Sequence, residues 1–458
     1  MKHTDIIDIF RNKEAVGKEF TVCGWVRKSR DSKNVAFLEI NDGTSLNHLQ
    51  IVIDKSIIHD STDYLPICTS VCVTGICVQA LNNPSGIEMN ANKIELLGTC
   101  PPDYPIQKKP HSLEYLRTIP HLRVRTNTFN AMFRLRSKLS EAIHRYFLDR
   151  NFTYVHTPII TGSDCEGAGE IFQVTTVGFH PEYKSAQEYY AADFFGQKAG
   201  LTVSGQLEGE MMAMGLGKIY TFGPTFRAEN SNTPRHAAEF WQVEPEVAFA
   251  DLNDIIGIAT EMIKFIIGSV LDSCKEEFAL FEKFYEPGLV AKLRAAIESD
   301  FARVDYGEAI KILKESGREF QYPVDWGCDL QTEHERYLTD IVFKRPVFVV
   351  NYPKKLKSFY MKQNPDGLTV AATDLLVPGV GEIIGCSERE NDYHKLLQAI
   401  TDRKMNIKDY VRYLELRKYG SVPHSGFGLG LERMLMYLTG IGNIRDVTMF
   451  ARTKGDLR

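Results

Sequence analysis

The stretch from Cys100 to Pro110 holds four prolines, each of which fixes φ and removes a backbone donor. Neither a helix nor a sheet ladder runs easily through such a segment, so it reads as an extended linker that splits the chain. The length of 458 residues points the same way, because one hydrophobic core rarely serves more than roughly 200 residues. The expected organisation is a small module at 1–100, a linker or hinge at 101–125 and a large domain at 126–458.

Before the linker, five short β-like runs are separated by turns: Phe20 to Val26, Val35 to Asn41, Leu49 to Ile53, Val71 to Val78 and Ile94 to Leu97. Asp42-Gly43 and the cluster Asn82 to Gly86 are hairpin signals. Five such strands suit a small barrel; the oligonucleotide-binding barrel is the expectation and a generic barrel the alternative. After the linker, Phe129, Met132, Phe133, Leu139, Ile143, Tyr146 and Phe147 recur at three- and four-residue spacing and mark an amphipathic helix. The greasy run Ile255 to Leu271 carries Glu261 and Lys264 and falls short of a membrane span, so it reads as a buried helix. Strand-like runs at Val347 to Tyr352 and Thr369 to Leu376 mingle with helices without regular alternation. The expected fold class is α+β: a five-stranded barrel, then a large domain with a mainly antiparallel sheet flanked by helices.

With 43% hydrophobic and 25% charged residues the chain is globular in composition, which excludes a disordered or low-complexity protein. The opening MKHTDIIDIF has no secretory apolar core, so a cytoplasmic location with no membrane partner is expected. Nine irregularly spaced cysteines suit reduced thiols, and Cys72 and Cys77 fall in a strand where core packing is their expected role. A net charge of -5 gives no general signal for nucleic acid, and no DNA partner is expected. Locally, however, Arg27, Lys28, Arg30 and Lys33 outnumber Asp31.

Two stretches carry the chemistry. From Phe226 to Glu246 a polar turn interrupts two β-like edges and presents Arg227, Glu229, Arg235 and His236, followed by Phe240 and Trp241. The arginine forks match phosphate or carboxylate oxygens, and an aromatic ring can stack on a base. A solvated charged hairpin is the alternative for this stretch alone. Near the C-terminus, Gly426-Phe427-Gly428-Leu429-Gly430-Leu431-Glu432-Arg433 leads into a helix closed by Gly440; alternating glycines permit close backbone approach to a ligand. No phosphate loop of the GxxxxGK[ST] type is present.

The segment around Pro158, the Phe226-Arg227-Ala228-Glu229 loop and the Gly426-to-Arg433 segment resemble, in order, the three signature motifs of class II aminoacyl-tRNA synthetases. With a barrel placed N-terminally, the resemblance narrows to the aspartyl, asparaginyl and lysyl subgroup and covers essentially the whole chain. It implies ATP as a substrate. Arg227 would hold the α-phosphate, Glu229 would contact adenine, and Arg235 or His236 would reach the γ-phosphate. Adenine would lie between Phe240 and Arg433, with Gly430 beside it, and Arg227, Arg433 and Glu229 would form the catalytic set. The segment Thr373 to Gly385 resembles the family's magnesium strand and turn, which makes Asp374 and Glu382 the implied Mg2+ ligands; hard carboxylate oxygens suit that ion. No side-chain nucleophile is needed, since the substrate carboxylate itself attacks.

Within the subgroup the chain is most similar to bacterial-type asparaginyl enzymes. Glu166 resembles the glutamate that binds the substrate ammonium, and Gln206 belongs to the adjoining amino-acid site. Aspartyl enzymes carry a lysine three residues after that glutamine, where this chain has Gly209. Glu244 stands where they have a shorter Asp, and Arg389 matches the arginine that binds the side chain. A carboxylate only accepts and a guanidinium only donates, so Glu244 and Arg389 together suit the amide of L-asparagine. Cys386 departs from an expected Gly, and Met449 and Ala451 from expected prolines; Cys386 reads as a packed small residue. The expected reaction is ATP-dependent charging of tRNA(Asn). An aspartyl or relaxed enzyme, an inactive tRNA-binding paralogue and an amidating paralogue are the alternatives. On the barrel, Phe37 and Gln50 match the positions that meet the central anticodon base, with Arg30 beside them. Pro158 resembles the proline at the family's homodimer interface.

Overall fold

The computed structural model describes residues 2–56, 65–81, 85–165, 171–178, 183, 185–231 and 233–457. Chain contacts divide it into two compact units, Met1–Phe133 and Arg134–Arg458.

The first unit is a closed barrel of β1 (Glu19–Asp31), β2 (Val35–Asn41), β3 (Leu49–Asp54), β4 (Ser70–Gln79) and β5 (Ile87–Gly98), in the order β1-β2-β3-β5-β4. Strict alternation builds it. On β2 the side chains of Ala36, Leu38 and Ile40 are buried, whereas Val35, Phe37, Glu39 and Asn41 face outward. Val22, Val26, Leu49, Ile51, Val71, Val73, Cys77 and Met89 complete the core from the other strands. The last strand starts at Ile87, seven residues before the apolar signal at Ile94, because its first part is held by the parallel pairing of Gln50 with Glu88 and Val52 with Asn90. Ladder hydrogen bonds recruit polar residues that no hydropathy pattern marks. The region after the proline-rich segment forms two short helices, Leu113–Arg117 and Pro120–Arg123, and clusters with the barrel.

In the second unit β6 (Thr153–Tyr154), β7 (Ile160–Thr161), β8 (Gln173–Val174) and β9 (Ala199–Leu201) precede the long hairpin of β10 (Lys218–Phe226) and β11 (Glu239–Ala248). Then come β12 (Ala302–Asp305), β13 (Val347–Val350), β14 (Ala372–Val377), β15 (Gly381–Glu388) and β16 (His424–Gly430). Eight of these make one sheet in the order β12-β13-β14-β15-β16-β11-β10-β6, antiparallel except for the two edge pairs. Strands β7, β9 and β8 form a small separate sheet. The helix Leu252–Ser273 is the one expected from the apolar run; a capping box of Asp251 and Asp254 starts it, and Ile255, Ala259, Met262, Ile263, Ile266 and Val270 bury its apolar face. The long amphipathic helix spans Asn127–Leu148. Residues 304–336 supply Val304, Tyr306, Ala309, Ile310, Leu313 and Leu330 to a core with β13, so the helix Tyr306–Glu315 covers one end of the large sheet. Among the described residues no helix is long and apolar enough to cross a membrane.

Candidate active site

Strands β14, β15, β16, β11 and β10 lie side by side in the large sheet, and a cavity of about 390 Å3 opens against them. Gln206, Arg227, Glu229, Arg235, His236 and Phe240 line it. So do Glu244, Asp374, Glu382, Arg389, Gly430 and Arg433, which are far apart in sequence. Glu166 lies outside the described residues. Arg30, Phe37 and Gln50 are on the barrel, and Pro158 is exposed between β6 and β7 beside exposed Ile159 and Ile160.

On the β14–β15 side, Asp374 pairs in register with Gly385. A Cβ at Gly385 would stand 3.6 Å from Asp374 Oδ1 and 3.6 Å from Glu382 Oε1, so the two carboxylates overhang one bare patch of backbone. Each has its own cation. Lys357 Nζ donates to Asp374 Oδ2 at 2.5 Å, and Arg433 Nη1 donates to Glu382 Oε2 at 3.0 Å and to its carbonyl at 3.1 Å. Burial raises the Asp374 pKa from its ordinary value, with Lys357 opposing. Burial also works to raise Glu382, but Arg433 and Lys357 outweigh it and hold that group below its ordinary value. Arg433 is early in the helix Leu431–Thr439, which Gly440 closes with φ of 70°.

The hairpin of β10 and β11 forms the facing wall. The Arg227 guanidinium lies 5.3 Å from the centre of the Phe240 ring, and its Nη1 is 3.9 Å from Glu229 Oε1. His236 Nε2 is 4.0 Å from the same carboxylate group, and burial together with Arg433 lowers its pKa, which favours the neutral imidazole. Arg235 is engaged elsewhere: its Nη1 donates to Glu335 at 2.9 Å and to the Val380 carbonyl at 2.6 Å. That clamp requires Gly381, whose φ is 92° and whose Cβ would run into the Glu335 carboxylate and into Arg235 Nη1 at 2.6 Å.

At the inner end, Glu244 accepts from Ser204 Oγ, from the Gly205 amide at 3.0 Å and from Thr221 Oγ1 at 3.1 Å. All three donors are neutral. Arg389 does not pair with Glu244; it grips Glu246 through Nε at 3.1 Å and through Nη2, and its Nη1 donates to Ser387 Oγ at 2.5 Å. Burial pushes Glu246 up to about 7 against the pull of Arg389. Behind this pair, Glu210 accepts from Gln206 Nε2 at 2.9 Å, Tyr413 Oη at 2.7 Å and Arg417 Nη2 at 2.8 Å, with His424 Nε2 also at 2.8 Å. The glycines of β16 now have a physical reason. A Cβ at Gly426 would collide with the Glu246 carboxylate, while one at Gly428 would sit 3.6 Å from Gln242 Nε2.

Sequence reasoning passed over Glu246, which closes the stretch from Phe226, and Glu210, the residue after Gly209. It missed Lys357, Glu335, Arg417 and His424 altogether. Lys357 closes the run Lys354-Lys355-Leu356-Lys357, which is indistinguishable in sequence from a solvated basic turn, and only the fold carries it to Asp374.

A family model described as tRNA synthetases class II (D, K and N) matches residues 112–454, and one described as an OB-fold nucleic acid binding domain matches residues 20–97. The asparagine–tRNA ligase of Clostridium tetani is 52% identical over 459 residues, covering 99% of this chain and 99% of its own. The chain belongs to the asparaginyl-tRNA synthetases. The asparagine–tRNA ligase of Acetivibrio thermocellus is 53% identical to this synthetase over 458 residues, 99% of each. Its fold also matches the crystal structure of asparaginyl-tRNA synthetase from Pyrococcus horikoshii complexed with asparaginyl-adenylate, at a TM-score of 0.88 and 35% identity, covering 100% of this chain and 99% of that one. The synthetase is accordingly a ligase of class II with an N-terminal oligonucleotide-binding barrel.

Proposed function

We propose that this synthetase activates L-asparagine with ATP inside the 390 Å3 cavity and transfers it to tRNA(Asn), with the residues that line the cavity dividing the work. One observation carries the reading: Arg227, Arg433, Asp374 and Glu382 converge in one cavity with the Glu244 and Arg389 sites. Adenine would lie against Phe240, taking the ring face that the Arg227 guanidinium now covers at 5.3 Å, so Arg227 would move onto the α-phosphate as nucleotide enters.

The reaction follows from charge and position. A substrate carboxylate oxygen attacks the α-phosphorus, a new O–P bond forms, the bond to the bridging oxygen breaks and pyrophosphate leaves with its electron pair. Negative charge grows on the α-phosphate oxygens, where the permanently charged Arg227 stabilises it without a proton transfer. Arg433 and His236 orient the polyphosphate. Asp374 and Glu382 fit a Mg2+ ion, two hard carboxylates overhanging a glycine, and when bound the ion neutralises phosphate charge.

Selectivity for the amide rests on what each side chain is already doing. Arg389 is already paired with Glu246, which offsets its charge and leaves it a weaker partner for a substrate carboxylate. Glu244 is held by neutral donors, and a carboxylate only accepts hydrogen bonds, so it suits an amide NH2 and not the carboxylate of aspartate. Loss of such paired contacts discriminates by about 10^4 to 10^5. Glu166 would bind the substrate ammonium.

The barrel would bind the anticodon. Arg30 lies 4.8 Å above the Phe37 ring, and Gln50, on the same outer face, donates to Glu88 at 2.7 Å. Exposed Ile159 and Ile160, at 43% and 45%, follow Pro158 and supply an apolar strip for a two-fold homodimer. Residues 1–100, 101–125 and 126–458 serve as anticodon-binding barrel, hinge and catalytic domain, and the protein works in the cytoplasm. The test is ATP–pyrophosphate exchange with purified protein and Asn, Asp or Lys. Exchange with Asn alone is expected, and equal exchange with Asp would overturn the selectivity argument.

A further inference from the structure

The barrel unit contains a second cavity, of about 220 Å3, lined by Trp25, Arg27, Asn41, Ser45, Arg125 and Asn130 among others. Its walls include two arginines and not one Asp or Glu. Among the described residues the Arg27 guanidinium donates to neutral groups, the Arg125 carbonyl and Asn127 Oδ1, the latter at 2.7 Å. Among the described residues no carboxylate pairs with Arg27 or Arg125, whereas nearby Lys28 and Lys55 are neutralised by Glu39 and Asp31. Burial works against the charge on Arg27, so the cavity holds a partly desolvated cation with no counterion. Asn130 Oδ1 is also buried without a hydrogen-bond partner among the described residues, and Trp25 is 44% exposed.

Register places this cavity. In the pairing of β1 with β2, Trp25 stands opposite Asn41 and Arg30 opposite Phe37. Phe37 and Asn41 are an even number of residues apart on β2 and face the same way, about 13 Å from each other along the strand. The cavity is thus on the face that carries the aromatic platform, further along it. A guanidinium fork matches phosphate oxygens, and an exposed indole beside it offers a stacking surface for a base.

We propose that the cavity holds one further nucleotide of the bound tRNA, beyond the base read by Phe37 and Gln50, with its phosphate on Arg27 and Arg125 and its base against Trp25. The proposal rests on the reading of the barrel as the tRNA-binding unit. The missing counterion is then the RNA backbone itself, and burying a charge in the free protein is repaid in the complex.

The experiment measures binding of a tRNA(Asn) transcript to the full-length protein across a salt series, for native chain and for Arg125→Gln, Arg125→Lys, Trp25→Ala and Phe37→Ala. Arg125 and Trp25 are exposed side chains, and the pyrophosphate exchange reaction, which needs no tRNA, reports whether each variant is folded. Arg125→Gln and Trp25→Ala are expected to weaken binding about tenfold, Arg125→Lys to recover most of the loss, and Arg125→Gln to reduce the salt slope by about one. Native-like binding by Arg125→Gln and Trp25→Ala while Phe37→Ala binds weakly would overturn the cavity's role and leave the barrel reading standing. If Phe37→Ala also bound normally, both would fall.

Discussion

Arg389 holds Glu246 with two guanidinium nitrogens, Nε at 3.1 Å, and both side chains are buried. The arginine that the sequence assigns to the substrate is therefore already half spent on an acid of its own. This pair, with Glu210 and Arg417 behind it, fixes the direction from which Arg389 can address a ligand.

Breaking that pair leaves a buried guanidinium with Glu210 Oε1 at 3.8 Å as its remaining acid. Glu246→Ala is expected to cost about 3 to 5 kcal/mol of stability, read by chemical denaturation, because the lost partner was buried and doubly bonded. Glu246→Gln keeps one acceptor and is expected to fold, with a KM for asparagine raised about tenfold or more.

The same acid gives a pH signature. Glu246 moves from an ordinary 4.5 to about 7, so between these values the folded protein binds the extra proton and its stability falls as pH rises. Below 4.5 the group is protonated in both states and contributes nothing. Glu246→Gln is expected to remove this falling component from the pH profile of the unfolding midpoint; identical profiles between pH 4.5 and about 7 would show that Arg389 keeps the acid ionised across that window.

Asp374 and Glu382 face each other across Gly385 with one cation each. Asp374→Asn is expected to raise the Mg2+ concentration needed for half-maximal exchange by about 10- to 100-fold. Arg227→Ala is expected to lower the exchange rate by about 10^2 to 10^3 with little change in the Mg2+ requirement.

Gly209 has Glu246 Cγ and Ile219 Cδ1 each 3.5 Å from where a Cβ would be, so a lysine there enters packed space beside the Glu246 carboxylate. It would compete with Arg389 for that acid. Combined with Glu244→Asp, which withdraws the acceptor from Ser204, Gly205 and Thr221, Gly209→Lys is expected to lower kcat/KM for asparagine by about 100-fold or more. Unchanged asparagine kinetics would refute the selectivity account.

Gly381→Ala is expected to abolish nucleotide-dependent activity at the level of ATP binding, because the new methyl displaces Glu335 and Arg235 from a turn held at a φ of 92°. Calorimetric titration with ATP reads the effect.

Local chemistry was legible along the chain. Alternation at Ala36, Leu38 and Ile40 fixed the barrel strand, the apolar period from Ile255 fixed its helix, and the polar turn after Phe226 announced a site, since each of these signals arises between residues a few positions apart. Tertiary structure alone decided partnership. Arg389 meets Glu246 across 143 residues, Arg235 meets Glu335 across 100, and the fifth barrel strand gains its first half by pairing with β3. An ion pair depends on which strands the sheet sets side by side, and that order is a property of the whole packed sheet that no local spacing records.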